Sequence, residues 1–260
     1  MQLTVIKVGG NIIDDDTKLA AFLKSFATLS GAKILVHGGG KIATSIGEKL
    51  GIESKYVNGR RITDRETLSL VTMVYGGLIN KNIVATLQSL SCNAIGLTGA
   101  DGNILPAVKR PVKDIDYGFV GDVTNDKVSV TMLSRLLHIG LTPVFAPLTH
   151  DTKGNMLNTN ADTIAQEVAR AMATHMEVQL IYCFEKKGVL ADAADDDSVI
   201  NSITAADFEE LKAAGIVSGG MIPKLENAFS AISSGVKKVI IGQAEDLHAL
   251  YTGDSGTCIL

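Results

Sequence analysis

Two clusters of glycines, each at the end of an apolar run, are the residues of this chain best suited to binding an anion. The clusters are Gly9-Gly10, after the run Leu3–Val8, and Gly38-Gly39-Gly40, after the run Lys33–His37. Because a helical pattern follows each cluster, backbone N–H groups and two positive helix ends are expected at one edge of a sheet. Glycine has no Cβ, so its backbone can approach a phosphate or carboxylate closely. The pattern therefore predicts an anion site at this edge.

Neither cluster is specific by itself, because a Gly-Gly turn is common between a strand and a helix. Both clusters together, with Lys7 beside the first, favour a ligand site. The spacing Gly38-x-Gly40-x-x-Ala43 fits a loose dinucleotide fingerprint, which leaves a nicotinamide-dependent oxidoreductase as an alternative. Lys41 is followed by Ile42, so the Gly-Lys-Ser/Thr ending of a P-loop is absent.

A polar segment leads into a later helix. Asn158, Asn160 and Asp162 alternate there, ahead of apolar residues at helical spacing. Asn160 is predicted to cap the helix and Asp162 to lie in its first turn, where the positive helix end keeps a carboxylate ionised. Three such side chains are more than a cap needs. The aspartate is therefore placed to hold cationic partners such as lysines.

Two further groups of residues carry positive charge near predicted helix starts. A third glycine turn, Gly219-Gly220, is followed by Met221 and by Lys224 in the first turn of a helix, where the helix dipole disfavours a cation. A bound anion would explain that lysine. The pair Arg60-Arg61 has two interpretations, a solvated surface pair or a guanidinium that grips a carboxylate, and spacing alone does not choose between them.

Alternating strands and helices must position these residues. Strand, glycine turn and helix occur twice near the start of the chain, and this repetition predicts parallel strands joined by right-handed crossovers, with a ligand at their carboxyl ends. Further strands are predicted at residues 94–97, 142–146, 178–182, 239–241 and 257–260. Residues 103–126 are predicted to form hairpins over one end of the sheet, and Thr63-x-x-Glu66 to form a capping box ahead of a long helix.

Composition and charge argue against several classes of protein. The chain has 260 residues, of which 46% are hydrophobic and 20% charged, as in an ordinary globular α/β protein. With a net charge of −4 and no basic tract, a nucleic-acid surface is not expected. The three cysteines lie far apart without metal-ligand spacing, which argues against a disulfide framework or a zinc site. We expect a cytoplasmic protein with neither a secretory leader nor a membrane span.

Phosphoryl transfer is the chemistry that suits these residues best. Its loose transition state requires mainly positioning and positive charge on the phosphoryl oxygens. If the acceptor is a carboxylate, whose unperturbed pKa is about 4, no proton has to be removed and no general base is needed. His37 ends a strand beside the glycine triplet, and we expect it to be a packed, hydrogen-bonded residue rather than a base.

The same motifs resemble those of the amino-acid kinase family over essentially the whole chain. The matching segments are Lys7-Val8-Gly9-Gly10, Val36-His37-Gly38-Gly39-Gly40, Asn58-Gly59-x-Arg61-Ile62-Thr63, Asn158-x-Asn160-Ala161-Asp162 and Gly220-Met221-Ile222-x-Lys224. The resemblance implies an α/β fold, a three-layer sandwich around an open, mostly parallel eight-stranded sheet. It also implies ATP-dependent phosphorylation of the γ-carboxylate of an N-acylated glutamate, a step of arginine biosynthesis.

The resemblance assigns a role to each residue of the motifs. Lys7 and Lys224 would stabilise the transferring phosphoryl group from two sides, and Asp162 would orient both lysines. Backbone N–H groups of Gly10 and Gly39 would bind the same phosphoryl group. The acyl-amino acid would be bound by Gly39, Gly40, Arg61, Asn158 and Asn160, with Arg61 on its α-carboxylate, and the phosphates and nucleotide by Gly9, Gly10, Gly38, Gly220 and Met221. Magnesium would be bound by the phosphates of ATP rather than in a cage of protein ligands.

The resemblance leaves the acyl group open. The region after Gly99 departs from typical members, so N-succinyl-glutamate is a rival of N-acetyl-glutamate, and Cys183–Gly188 replaces the family's usual Ser/Thr-Asp-Val turn on the nucleotide side. Residues 1–170 would form an acyl-amino-acid lobe that also makes a homodimer, and residues 171–260 a nucleotide lobe. A member of the fold that senses ligands without turnover is a further alternative, against which the joint presence of both lysines and the aspartate argues.

Overall fold

The computed structural model describes residues 2–57, 59–192, 194–219 and 221–260 of the chain. Within them the strands are β1 (Gln2–Val8), β2 (Ala32–His37), β3 (Tyr56–Val57), β4 (Arg60–Arg61), β5 (Ala94–Leu97), β6 (Val108–Lys109), β7 (Gly121–Asp122), β8 (Thr142–Phe145), β9 (Leu148–His150), β10 (Met156–Asn158), β11 (Glu177–Phe184), β12 (Ser202–Ile203), β13 (Lys238–Gln243) and β14 (Thr257–Ile259). The helices are α1 (Gly10–Ile13), α2 (Asp16–Thr28), α3 (Gly40–Lys49), α4 (Arg65–Val71), α5 (Asn80–Ser89), α6 (Val130–His138), α7 (Ala161–Met172), α8 (Ala205–Ala213), α9 (Met221–Ser233) and α10 (Leu247–Thr252). A π-helix, Thr72–Ile79, joins α4 to α5, and 3-10 turns lie at Asp101–Asn103, Asn125–Lys127 and Ala244–Asp246.

One eight-stranded sheet, in the order β12-β14-β13-β11-β1-β2-β8-β5, organises the described chain. Neighbouring strands are parallel except β13 and β14, which are antiparallel. The prediction of an open, mostly parallel sheet is therefore confirmed. The strands β1, β2 and β11 are central neighbours, so their carboxyl ends meet at one edge, where ligands bind in sheets of this kind.

The central strand β1 is buried on both faces, which explains why it is a continuous apolar run. Leu3 and Val5 belong to one hydrophobic core, while Ile6 and Val8 belong to the other. Helices α6, α7 and α9 pack on the first face, and α5 and α10 on the second, with α2 against both of these helices. The expected three-layer sandwich is confirmed.

The start of the long helix differs from the expected Thr63 capping box. Asp64 is the N-cap, and its side chain accepts a hydrogen bond from the backbone N–H of Thr67 at 2.8 Å. Thr63 is instead held as an extended residue, because its N–H donates to the carbonyl of Tyr117 and its carbonyl accepts from the N–H of Phe119. The other caps agree with the sequence: Asn160 caps α7, and Thr204 forms a capping box with Asp207 ahead of α8.

The helical segment Arg65–Ser89 is the longest in the described chain. Two of its properties were not predicted from the sequence. Its middle, Thr72–Ile79, is a π-helix. The segment also has the length and, at a mean hydropathy of 1.2, the composition of a membrane span, contrary to expectation. However, 44% of that window is buried inside the protein, and a core helix meets the same criteria.

A buried lysine fixes the end of α2 to the start of β2. Nζ of Lys33 donates hydrogen bonds to the carbonyls of Phe26, Ala27 and Leu29 at 2.8, 2.9 and 2.7 Å. These carbonyls lie at the helix end, where few backbone donors remain, although that of Phe26 also accepts from the N–H of Leu29 at 3.3 Å. Burial lowers the pKa of Lys33 from its ordinary value.

We expect Lys33→Met to lower the free energy of unfolding by about 3 kcal/mol, because it leaves three helix-end carbonyls without their donor. The measurement is urea unfolding followed by circular dichroism. Lys24→Met, at an exposed position of α2, is the matched control. Its free energy of unfolding should stay within about 0.5 kcal/mol of the wild-type value. Equal stability of the two variants would contradict this role.

Candidate active site

Two cavities open where the carboxyl ends of the central strands meet. The first, which we call the lysine cavity, has a volume of about 350 Å³ and is lined by Lys7, Gly9, Gly10, Phe184, Met221 and Lys224 among others. The second, which we call the arginine cavity, has a volume of about 240 Å³ and is lined by Gly38, Gly39, Gly40, Arg61, Asn158 and Asn160 among others. The structure thus brings the predicted residues together in two sets. Gly220 lies outside the described residues, as does Asn58.

An ion pair between Lys7 and Asp162 connects the sheet to a helix start beside these cavities. Lys7 is the penultimate residue of β1 and is 8% exposed. Its Nζ forms an ion pair with Oδ1 of Asp162 at 2.8 Å. The angles at this contact are not those of a hydrogen bond. Asp162 is in the first turn of α7, where the side chain of Asn160 accepts hydrogen bonds from the N–H groups of Asp162 and Thr163. The cap therefore fixes the backbone that carries the aspartate.

Lys224 reaches the same region from the first turn of α9. Its Nζ lies 3.8 Å from the ring centroid of Phe184, and Nζ of Lys7 lies 5.1 Å from the same centroid. Burial lowers the pKa of Lys224, an effect that Lys7 reinforces and that the negative charges of Asp162 and Glu185 oppose. Two ammonium groups and one carboxylate thus share a partly buried site.

The two glycine turns touch each other. The N–H of Gly38 donates to the carbonyl of Val8 at 3.2 Å, and a Cβ added to Gly38 would lie 3.4 Å from the amide nitrogen of Gly10. Gly39 has a φ of +143°, and a Cβ there would lie 2.3 Å from Cδ1 of Ile79. Gly39 caps α3, whose N-terminus adjoins the arginine cavity. Position 39 therefore requires glycine, and the two turns place the N-termini of α1 and α3 beside the two cavities.

Arg61 is the buried member of the arginine pair. It is 7% exposed, whereas Arg60 is exposed, so the solvated interpretation fits only Arg60. Nη2 of Arg61 donates to the carbonyl of Gly40 and to Oγ1 of Thr44, each at 2.9 Å. Its guanidinium carbon lies 4.8 Å from the ring centroid of Tyr56. The hairpin of β3 and β4 and the start of α3 thus hold a cation in the wall of the arginine cavity.

Several lining residues were not predicted from the sequence, among them Tyr75, Arg110 and Phe184. Tyr75, from the π-helix, and Arg110, which follows β6, line the arginine cavity. Phe184, the last residue of β11, lines the lysine cavity. Arg110 binds Asp122 of β7, with Nε 3.0 Å from Oδ1. A signal for this last pair was present, since Arg110 and Asp122 lie within the segment predicted to form hairpins over the sheet.

His37 is packed beneath the glycine triplet. It is fully buried, Nδ1 lies 2.7 Å from the carbonyl of Gly38, and Nε2 lies 3.2 Å from Nδ2 of Asn80. Burial lowers the pKa of His37 to about 4, against a smaller opposing effect of the Gly38 carbonyl. A neutral ring that donates from Nδ1 and accepts at Nε2 satisfies both contacts, as expected for a packed residue.

Comparison with known proteins places this arrangement in a family. The model of the amino acid kinase family matches residues 2–243. The chain therefore belongs to the amino-acid kinase family, and the resemblance stated from its motifs is confirmed. Its relatives include proteins named acetylglutamate kinase. The one from Bacteroides thetaiotaomicron is 63% identical over 240 residues, which are 92% of this chain and 93% of the relative. The one from Methanopyrus kandleri is 41% identical over 249 residues, 94% of this chain and 96% of the relative.

Solved structures agree with this fold. A protein from Streptococcus mutans has a TM-score of 0.77 at 28% identity, covering 99% of this chain and 98% of its own. Carbamate kinase from Giardia lamblia bound to AMP-PNP has a TM-score of 0.70 at 14% identity, with the same coverage of 99% and 98%. The second likeness concerns the fold alone.

We expect the pKa of His37 to make the protein less stable in mild acid. The unfolded imidazole, with a pKa of about 6.5, takes up a proton that the folded ring accepts only near pH 4. The stabilisation is therefore complete above pH 6.5 and is lost as the pH falls towards 4. Urea unfolding between pH 7 and 4 should show a loss larger by about 3 kcal/mol in the wild type than in His37→Gln.

His138→Gln, at an exposed position of α6, is the control for this comparison. It should follow the wild-type dependence on pH. Parallel pH dependences for the wild type and His37→Gln would show that His37 is protonated equally in the folded and unfolded states.

Proposed function

We propose that this chain transfers the γ-phosphoryl group of ATP to the side-chain carboxylate of N-acetyl-L-glutamate, a step of arginine biosynthesis. Relatives named acetylglutamate kinase that match nearly the whole chain support the reaction. The structural observation that carries it is the adjacency of the two cavities. Gly10 lines the cavity with two lysines and Gly38 the cavity with a buried arginine, and the turns that carry these glycines adjoin each other. Asp162 pairs with Lys7 of the first cavity.

In this proposal the two lysines stabilise the phosphoryl group during its transfer. Lys7 and Lys224 bind its oxygens from two sides, where negative charge spreads in the transition state, and Asp162 orients the lysines. The N–H groups of Gly10 and Gly39 donate to the same oxygens. Asp162 is not required as a base, because the acceptor carboxylate, with a pKa of about 4, is already ionised at neutral pH.

The remaining residues bind the two substrates. Arg61 binds the α-carboxylate of the acceptor, and Gly39, Gly40, Asn158 and Asn160 form the rest of its site. Gly9, Gly38 and Met221 adjoin the phosphates, and the resemblance assigns Gly220, outside the described residues, to the same group. Among the described residues no group of three or more His, Cys, Asp or Glu is arranged to hold a metal ion, and Mg²⁺ enters the proposal as the ion carried by the phosphates of ATP.

The proposal includes the organisation of the molecule. Residues 1–170 form the lobe that binds the acylated amino acid and residues 171–260 the lobe that binds the nucleotide. The protein acts in the cytoplasm as a homodimer. Consistent with a contact between copies, Met73 and Leu78, on the long helix of the first lobe, are 57% and 47% exposed.

N-succinyl-L-glutamate is a second candidate acceptor, and Arg110 is the residue that favours it. Nε and Nη2 of Arg110 bind Asp122, while Nη1 is buried without a hydrogen-bond partner among the described residues. An unsatisfied buried donor is unfavourable. A succinyl chain ends in a carboxylate that accepts from such a donor, whereas an acetyl group ends in a methyl group. Arg110 lines the same cavity as Arg61, which supports a role in recognising the acceptor.

We expect Lys224→Met to lower kcat by about 100-fold or more, with the KM values for both substrates changed by less than about threefold. The lysine acts on charge that develops in the transition state, so turnover and not substrate affinity depends on it. Steady-state kinetics checks this result. Lys212→Met, an exposed lysine of α8, is the control. A large rise in KM with unchanged kcat would contradict the role.

The reaction itself is tested by ADP release from MgATP with a panel of acceptors. N-acetyl-L-glutamate, N-succinyl-L-glutamate, free L-glutamate and carbamate are compared in parallel. We expect turnover with acylated glutamate alone. If folded protein that binds ATP releases no ADP with any of the four acceptors, a ligand-sensing role is favoured.

Arg110→Gln tests the second acceptor. We expect it to raise the KM for N-succinyl-L-glutamate by about tenfold, because it removes a charged donor, and to change the KM for N-acetyl-L-glutamate by less than about twofold. Arg135→Gln, at an exposed position of α6, is the control. Equal effects of Arg110→Gln on both acceptors would remove Arg110 from recognition of the acyl group.

A further inference from the structure

Phe184 is the one aromatic ring of the lysine cavity that contacts both lysines. It ends β11, in the segment where the sequence departs from the usual turn of the family. Its ring centroid is 3.8 Å from Nζ of Lys224 and 5.1 Å from Nζ of Lys7. Both distances fall within the range of about 6 Å over which the negative face of an aromatic ring attracts a cation. A single neutral side chain thus contacts both positive charges of the site.

The charges around Lys224 explain why such a ring is useful. The charged groups that act on it are Asp162, Lys7 and Glu185. The buried side chain of Tyr182 lines the same small cavity as Asp162 and Lys224. Asp162 pairs with Lys7 at 2.8 Å, which leaves Lys224 half-buried near a like charge. Another carboxylate would offset that repulsion but would also repel incoming phosphates. A ring face attracts the ammonium groups without adding net charge.

The ring is itself held firmly. Phe184 stacks on Tyr182, with ring centroids 6.1 Å apart and an interplanar angle of 14°. These residues are two apart on β11, so their side chains lie on the same face of the strand. The hydroxyl of Tyr182 donates to the carbonyl of Asp162 at 3.4 Å. The two rings therefore form a platform that connects β11 to the start of α7.

We propose that Phe184 is a positioning residue, which holds the ammonium groups of Lys7 and Lys224 in their working arrangement through the face of its ring. This inference rests on the proposed kinase function, in which both lysines bind the phosphoryl group. Lysine side chains are long and flexible, and the attraction of the ring face limits the positions that the ammonium group of Lys224 adopts. The effect of the ring is therefore on turnover rather than on the binding of either substrate.

The test compares Phe184→Leu, which keeps the apolar bulk without a ring face, with Phe184→Tyr, which keeps the ring. In Phe184→Leu we expect kcat to fall about tenfold and both KM values to stay within about twofold, while Phe184→Tyr stays within about threefold of wild-type kcat. The alkaline limb of the kcat profile should move to lower pH in Phe184→Leu, because the ring favours the charged form of Lys224. Phe208→Leu is the control, since its ring lies 5.5 Å from Nζ of Lys212 outside both cavities.

A measurement without turnover separates this inference from the proposed reaction. The titration of Lys224 is followed by NMR of protein labelled with ¹³C at the lysine ε carbon, with Lys224→Arg used for assignment. A lower midpoint in Phe184→Leu than in the wild type and in Phe184→Tyr supports the inference even if the wild type phosphorylates none of the acceptors. An unchanged midpoint, or equal losses of kcat in Phe184→Leu and Phe184→Tyr, would overturn it.

Discussion

The ion pair between Lys7 and Asp162 is the interaction on which the rest of the site depends. Lys7 stands on the central strand of the sheet and is almost fully buried, and a buried cation without a counter-ion would be strongly destabilising. Its partner stands on α7, which packs against β1, β2 and β11. The central strands and the helix packed on them therefore set the geometry of the pair. Around it lie the two glycine turns, the second lysine and the two cavities.

Those features of the fold that follow from local pattern were predictable from the sequence. The strands β1, β2 and β11 are buried on both faces, so each appears in the sequence as a run of mostly apolar residues. The caps at Asn160 and Thr204 were also predictable, since each depends on a side chain and backbone groups two or three residues away. The prediction of a capping box at Thr63 was wrong because Thr63 donates to Tyr117 and accepts from Phe119, both distant in sequence, and these hydrogen bonds hold it extended. The π-helix at Thr72–Ile79 has no local signal of that kind.

The same division applies to the candidate site. Lys7, the glycine turns, Asp162 and Lys224 follow strand ends or begin helices, and parallel strands bring such positions to one edge whatever the details of packing. Phe184 enters through contacts with Lys7 and Lys224, which are far from it in sequence and which no spacing reveals. Arg110 lies within the segment predicted to form hairpins, but its place in the arginine cavity was not evident. The pair Arg60-Arg61 lies between these cases. Its position was evident, but only the hairpin of β3 and β4 decides which guanidinium is turned inward.

The contact between Gly39 and the long helix connects the arginine cavity to an exposed surface of the protein. A Cβ added to Gly39 would lie 2.3 Å from Cδ1 of Ile79 and 3.4 Å from the ring of Tyr75, so the turn packs directly on the π-helix. Protein interiors are close-packed, so neighbouring elements in such contact constrain each other's positions. The same π-helix carries Met73 on its exposed side. One short segment thus packs on the glycine turn with one face and meets solvent with another.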